Sequence, residues 1–439
     1  MRFFLVSIFC VCLSNASFGQ ELSYAYIDSL SYLLYTKKAY KELENIGEKA
    51  ISQEIDFYYL RMRVGGAYYE QQKYAKALEH FKVAREMNPN DTLAQEYLYY
   101  SLLLAGYKED ALISAKDLRE EVKKKINYKN KKFRFEQISL TTGLLIGQDL
   151  EENKSKDFKS AALYAENTLQ GNTSFFNLFL ENRINNRWLL SNNFSFYNIE
   201  SMSLIQKNNA STATQSFQNA NYGYNLGISY FSPKNFITSL HIGYFQENAD
   251  FLFLRSDPLS PQAPLYATAV YQHNAYTAML QFSKKLTHTT WGISGAFGSL
   301  GNTNQMQVGA YLLAYPFQTR KFYFLSSYTL LQNDENLGGI FSQKIGGNFG
   351  KSIFYEFWLS TGNHQNFISH NLSYNTAEPI LLIAGGQVGF RVKQFYIFPS
   401  YEIQERESSY TRYISPIDSQ IIKNTYFNQL FKCTLQWKF

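Results

Sequence analysis

Cysteine is nearly absent from this chain, with three in 439 residues. Cys10 and Cys12 fall within the first dozen positions, which leaves Cys433 alone in the remainder. A disulfide-stapled fold is therefore excluded. Charge is scarce as well. Asp, Glu, Lys and Arg make up 18% of the residues, below the usual quarter of a soluble domain. Long apolar runs are missing beyond the amino terminus, and the mean hydropathy is −0.31. That excludes a bundle of membrane-spanning helices. What is abundant is aromatic: 35 Tyr and 36 Phe. A chain that is rich in aromatics, polar on average and free of long apolar runs has the composition that alternating membrane strands produce.

The first residues read as a secretory signal, residues 1–19. Arg2 supplies the positive start, Phe3 to Leu13 the apolar core, and Ser17-Phe18-Gly19 the small residues before a cut after Gly19. The apolar core is too short for a permanent anchor. Neither Cys10 nor Cys12 follows the small-residue run that lipid attachment needs. The net charge is +6, and much of it lies between Arg119 and Arg134, including Lys123, Lys124, Lys125, Lys129, Lys131 and Lys132. A secreted chain meets no nucleic acid. This stretch is either a collar against anionic headgroups or a solvated helix end and linker.

Residues 20–125 carry helical periodicity and an internal repeat of 34. Tyr40 and Tyr74 fall in register, as do Leu43, Ala77 and Ala111, and Ala50, Ala84 and Leu118. The middle copy is the clearest, with Gly65, Tyr68, Tyr74, Ala77, Phe81, Ala84 and Pro89. Small residues let antiparallel helices approach, aromatics fill the gaps, and proline ends the second helix. This pattern resembles the tetratricopeptide repeat. The resemblance implies a concave face lined by the first helix of each pair, here Tyr32, Tyr35, Tyr59, Met62, Tyr69, Glu96 and Tyr100. Such a face suits a peptide segment or a sugar chain. The alternative is that several of these tyrosines pack between helices.

After a basic linker at 126–132, period two takes over from Phe133 to Phe439. Tyr222, Tyr224, Leu226, Ile228 and Tyr230 alternate with Asn221, Gly223, Asn225, Gly227 and Ser229. Trp188, Leu190, Phe194 and Phe196 oppose Ser191, Asn193 and Ser195. The last strand runs to the terminus with Phe431, Cys433, Leu435, Trp437 and Phe439 on one face and Lys432, Thr434, Gln436 and Lys438 on the other. Phe431, Leu435, Trp437 and Phe439 resemble the terminal aromatic signature by which the outer-membrane assembly machinery recognises a barrel-closing strand. Short polar turns recur near 183–187, 232–235, 287–289, 316–321 and 350–352, with longer linkers at 200–214, 250–264 and 406–420. A raw count gives 15 strands. A chain that starts and ends in the periplasm needs an even number, so 14 are expected, with 12 or 16 as alternatives. An open sheet in lipid would leave its edges unsatisfied, so the strands must close. The expected fold is thus α+β and multidomain: periplasmic all-α repeats followed by a transmembrane antiparallel β-barrel.

Catalytic constellations are missing from the pattern. The lumen-facing titratable residues inferred from alternation are His241, His273, Glu356, Arg391, Glu402 and Lys432, and no two share a strand at metal-ligand spacing. Ser369-His370 cannot pair, because strand neighbours point to opposite faces. Asp149, Glu151 and Glu152 read as loop charge or as a cation or lipid-sugar contact. No catalytic, metal or cofactor site is expected.

A repeat domain joined directly to a carboxy-terminal barrel resembles the outer-membrane exporters of exopolysaccharides and, more loosely, YaiO-type barrels. The resemblance implies an outer-membrane protein that docks a periplasmic protein or polysaccharide and contacts outer-membrane lipids. Three repeats cannot bridge to the inner membrane. The readings that follow are polymer export, a plugged structural anchor, and a barrel enzyme, the last lacking any clustered nucleophile and base.

Overall fold

The computed structural model describes residues 23–128, 133–147, 162–207, 213–232, 235–255, 265–286, 288–301, 303–317, 321–333, 337–350, 352–369, 373–374 and 378–439. The chain divides into two compact units, one ending at Tyr128 and one beginning at Lys129.

The first unit is helical. Its helices are α1 (Tyr24–Thr36), α2 (Tyr40–Ser52), α3 (Tyr58–Glu70), α4 (Tyr74–Met87), α5 (Thr92–Leu104), α6 (Lys108–Ser114) and α7 (Glu120–Lys125). The odd helices α1, α3 and α5 begin at 24, 58 and 92, and their partners α2, α4 and α6 at 40, 74 and 108, each step being 34 residues. The turn inside each pair repeats too. Lys38, Gln72 and Gly106 all take positive φ, the left-handed conformation that ends a helix. Ser23 and Asp91 cap α1 and α5 by accepting from Tyr26 and Ala94 N–H groups. Small residues set the helix spacing. A Cβ on Gly65 would meet the Phe81 ring, and one on Gly47 would meet Val64. The core gathers Ile27, Leu43, Leu60, Val64, Phe81 and Leu98. Ile126 and Tyr128 pack against it, three residues beyond the boundary that composition suggests.

The second unit is a closed antiparallel barrel of 14 strands. The wall contains β1 (Arg134–Gly147), β2 (Tyr164–Arg183), β3 (Trp188–Lys207), β4 (Ala213–Phe231), β5 (Phe236–Leu254), β6 (Tyr266–Lys285) and β7 (Thr289–Leu300). It continues with β8 (Thr303–Ala314), β9 (Phe322–Asn333), β10 (Leu337–Phe349), β11 (Ile353–Thr361), β14 (Ile380–Val392), β15 (Phe395–Tyr413) and β16 (Ser419–Lys438). A two-stranded hairpin, β12 (Phe367–Ile368) with β13 (Ser373–Tyr374), lies outside the wall order. This hairpin and the single wall strand β14 account for the stretch 361–395, where strand-like segments outnumber wall strands.

Closure is made by β1 and β16, with Ile138 opposite Trp437, Leu140 opposite Leu435 and Leu144 opposite Phe431. The terminal aromatic positions are therefore part of the seam itself. The wall is uneven in height. β2 to β6, β15 and β16 span 19 or 20 residues, whereas β7 to β11 and β14 span 9 to 13. About 9–11 tilted residues cross a bilayer, so the tall strands continue well past it. Strand extends into what reads as linker, over 200–207 and 213–214, over 250–254, and over 406–413 and 419–420. Above β1, the tall hairpin β15–β16 meets β2, with Arg412 opposite Ala165 and Tyr413 opposite Tyr164.

Candidate functional site

The outer face fixes the environment. Phe194, Tyr222, Leu240, Ile293, Val308, Phe341, Phe357 and Leu435 are all exposed, and they occupy one alternation phase of their strands. A closed sheet with a continuous apolar outer surface is stable in lipid and would aggregate in water. The opposite phase is buried or half-buried and polar: Asn193, Ser195, Asn225, Ser239, Thr277, Gln305, Gln307 and Asn428 are all buried.

The structure places His241, His273, Glu356, Arg391, Glu402 and Lys432 on that inner phase, opposite the exposed apolar side chains. It does not bring all six together. His241 sits across from Gly227 on β4, and His273 contacts the Ser299 carbonyl at 3.3 Å. Arg391 lies near the short-turn end, where its guanidinium is 5.6 Å from the Tyr396 ring. Glu356, Glu402 and Lys432 do converge. Lys432 Nζ is 3.3 Å from Glu402 Oε2, and Lys344 Nζ is 3.7 Å from Glu356 Oε1. Between the two ion pairs lies Trp358. Its indole N–H donates to Glu402 Oε2 at 3.0 Å, and the two ammonium groups flank its ring at 6.0 and 5.2 Å.

Glycine on β14 makes this arrangement possible. A Cβ on Gly385 would lie 2.8 Å from the Trp358 ring, so glycine there leaves room for the indole that reaches Glu402 on β15. Gly389 is covered in the same way by Phe398. Phe354, Tyr396 and Phe398 cluster at 5.7 to 6.5 Å, with Tyr396 and Phe398 stacked. Tyr323, Phe354, Glu356, Gln387 and Phe398 line a cavity of about 170 Å³. The inner wall thus carries an aromatic track that starts at the short-turn end, where Lys438 flanks Tyr396 at 4.9 Å, and resumes at Trp358 beyond Glu356. Alternation puts Phe354 and Trp358 on the inner phase, but that phase reads as mostly Asn, Gln, Ser, Thr and Gly, and the grouping of its aromatics was not anticipated. Its signal was present in Phe354-Tyr355-Glu356-Phe357-Trp358 and Tyr396-Ile397-Phe398, where aromatics occupy both phases.

The segment after β11 turns into the barrel. His364 is buried, with Nδ1 donating to the Ile380 carbonyl at 3.0 Å and Nε2 accepting from Ser360 Oγ at 2.6 Å. Ile368 inserts among Phe245, Ala275, Ala296 and Leu300 on the inner face of β5 to β7. The Gln307 amide, oriented by its hydrogen-bond partners, bridges the Ile368 backbone at 2.8 and 3.1 Å, and Asn366 donates to Thr303 at 3.3 Å. In the wall, β9 and β10 separate β11 from β8, so this segment crosses part of the lumen. The Ser360–His364 contact has the geometry of an activated nucleophile. Both residues are buried, however, and the orienting third group is a backbone carbonyl, so the pair serves to anchor the segment. His370, Asp149, Glu151 and Glu152 lie outside the described residues.

On the helical unit the six concave-face positions other than Glu96 separate into two sets. Tyr32 and Tyr59 are exposed and flank the Arg63 guanidinium at 5.3 and 5.7 Å, while Arg63 is held by Asp28 at 2.6 Å. Tyr35, Met62, Tyr69 and Tyr100 pack against the core. Tyr69 meets Tyr74 and Tyr97 edge to face, and burial pushes its phenol up to about 12. Burial also raises Tyr35 above the ordinary tyrosine value. Glu96 accepts from Lys125 at 2.9 Å. In the basic stretch, Lys125 and Lys123 thus pair within the helical unit, Lys123 with Glu120 at 2.9 Å. Among the described residues no cluster of His, Cys, Asp and Glu is placed to hold a metal.

No protein-family model matches the chain, and no curated protein matches it. Among solved structures it is similar to a Pseudomonas aeruginosa homologue of FadL, at 9% identity and a TM-score of 0.44, covering 69% of this chain and 90% of that one. It is similar to a bacterial polysaccharide outer membrane secretin at 9% identity and a TM-score of 0.34, over 69% and 98% of the two chains. A third is the KdgM porin in complex with oligogalacturonate, at 10% identity and a TM-score of 0.28, over 50% and 93%. Values this low carry no argument by themselves, so the conclusion rests on closure and on the outer face: this is a 14-strand barrel of the outer-membrane type preceded by a helical region.

Proposed function

We propose that the barrel translocates a hydroxyl-rich polymer across the outer membrane, and that the helical unit, read as tetratricopeptide-like, docks a periplasmic partner. Polysaccharide export is the specific form of this reading. The observation that carries it is the inner-wall aromatic track, bordered by paired charges and amides. Polar walls keep a lumen wet, and aromatic faces along the wall give a passing chain repeated weak contacts. In this reading the short-turn end faces the periplasm, where β1 begins and β16 ends. On the helical unit, the exposed Tyr32 and Tyr59, with the half-buried Arg63 between them, are the residues best suited to a partner, and the chain acts without catalysis.

The docked Ile368 favours a second reading, a barrel closed to free flow that anchors an envelope complex. Conductance in planar bilayers separates the two. The channel reading expects discrete conductance from the full-length protein, enlarged in Ile368→Asp, which would expel the segment from its apolar seat. No conductance from either protein, together with a partner that co-purifies, would replace the channel by the anchor.

A further inference from the structure

We propose that Trp358 and the groups around it form a saccharide subsite for a neutral, hydroxyl-rich sugar unit. The proposal deepens the translocation reading and rests on it for its biological sense, but its test does not. The chain has four tryptophans. Trp188, Trp291 and Trp437 are exposed on the outer phase, where aromatic girdles of membrane barrels belong. Trp358 has the inner phase, between the outward Phe357 and Leu359. An indole at mid-strand on a wet wall needs a reason other than lipid.

Its geometry supplies one. The ring packs against Gly385 and stays partly exposed on the inner phase, with the Lys344 and Lys432 ammonium groups over it at 6.0 and 5.2 Å. The indole N–H is fixed by Glu402, which also accepts from Gln404 at 2.8 Å. Gln404 is held in turn by Arg406 at 2.8 Å. The ring cannot swing away without breaking this chain of hydrogen bonds. A rigid π face with a negative quadrupole suits the polarised C–H face of a sugar ring.

The edge of the ring sets the ligand's charge. Lys344 and Lys432 are matched one for one by Glu356 and Glu402. The border therefore carries no net charge, and an anion or a cation arriving at the ring loses to one member of each pair what it gains from the other. Hydroxyls gain from both, since each can donate to a carboxylate and accept from an ammonium. Gln387, which donates to Glu356 at 3.4 Å, and Tyr323, which also donates to Glu356, extend the same border toward the cavity below. The balanced border argues for a neutral saccharide over a uronate or an amino sugar.

The test uses the full-length protein purified in detergent, with folding checked by heat-modifiable gel mobility. Maltohexaose, cellohexaose, N-acetylchitohexaose, hexagalacturonate and deacetylated chitohexaose are titrated by calorimetry. At least one of the three neutral oligosaccharides should bind. Trp358→Ala should weaken that binding by about tenfold or more, with Trp291→Ala on the outer face leaving it unchanged. Trp358→Phe keeps a platform but removes the N–H, so it should fall between. Binding by none of the neutral probes, tighter binding of either charged oligomer, or equal affinity in Trp358→Ala would overturn the subsite. Loss of conductance with binding intact would remove the translocation reading and leave the subsite standing.

Discussion

The two units of this chain bury their aromatic side chains in opposite directions. In the helical unit Phe81 is fully buried, stacked on Tyr97 at 5.0 Å. In the barrel Phe297 is 66% exposed, and the polar Asn428 is fully buried. The same residue types obey one rule in both places. Apolar surface leaves water, toward neighbouring helices in one unit and toward lipid in the other. Burial therefore has no fixed meaning until the solvent on each side is known.

The strongest way to break this comparison is to remove a side chain where water is the competing solvent. Phe81→Ala leaves a cavity between α3, α4 and α5, and such changes cost about 3–5 kcal/mol. Circular dichroism should show the helical transition falling by many degrees, with the heat-modifiable gel shift of the barrel preserved. Simultaneous loss of both signals would show that the units do not stabilise independently.

The reciprocal experiment places charge where lipid is the solvent. Ile345 is exposed, and its wall partners are Phe324 and Phe357. Ile345→Lys should cost about 2–4 kcal/mol in bilayers if it lies near the midplane. The adjacent Lys344→Gln, on the inner phase, should be far milder. Equal folding yields for the two variants would contradict the assignment of faces. At the seam, Trp437→Asp tests the same rule, because Trp437 stacks on Phe395 and Phe439 at 5.3 and 4.5 Å.

Legibility in the sequence followed the period of each region. With period two, one misplaced boundary shifts an element's end but seldom its faces. The exposed Phe431, Leu435 and Trp437 and the inward Glu402 and Lys432 were all readable. The inner phase of Phe354 and Trp358 was readable from the same alternation, but alternation does not say that Trp358 packs on a glycine of the neighbouring strand. That fact depends on register, with Gly385 opposite both Trp358 and Glu402. In the helices a 100° step per residue means that a small error in phase exchanges core for surface. Tyr59 and Tyr69 fall in the same helix, yet Tyr59 is exposed and Tyr69 packs against the core. The inward Ile368 was unreadable for a different reason, since a loop's destination is set by the notch that receives it.

A smaller effect sharpens the comparison within one helix. Tyr69→Ala should cost about 1–3 kcal/mol, the typical range for losing packed side-chain contacts. Tyr59→Ala should stay within about 0.5 kcal/mol, as exposed substitutions do. Melting temperatures, read beside a pull-down from periplasmic extract, distinguish packing from recognition. A stable Tyr59→Ala that loses a partner supports the docking face. An unchanged partner list would count against it.

The smallest expected effect is a pH dependence confined to the helical unit. His80 is buried, stacked on Tyr68 at 5.4 Å. Its Nε2 lies 3.2 Å from Glu48 Oε1 and its Nδ1 lies 3.3 Å from Arg61 Nη1. A carboxylate can only accept and a guanidinium can only donate, so the ring is neutral with its proton on Nε2. A second proton on Nδ1 would face Arg61 and cost that hydrogen bond. Burial holds the imidazole below its ordinary 6.5, opposed by Glu48 and reinforced by Arg61. The unfolded chain therefore takes up the proton first as the solution is acidified. Stability is full above about pH 6.5 and declines as the pH falls toward the folded-state value, with a slope no steeper than about 1.4 kcal/mol per pH unit for one proton. Melting of the full-length protein followed by helical dichroism should show this decline, and His80→Gln should flatten it. Arg61→Gln should reduce the slope by letting the folded state accept the proton sooner. A slope unchanged in His80→Gln would assign the acid sensitivity to the carboxylates instead.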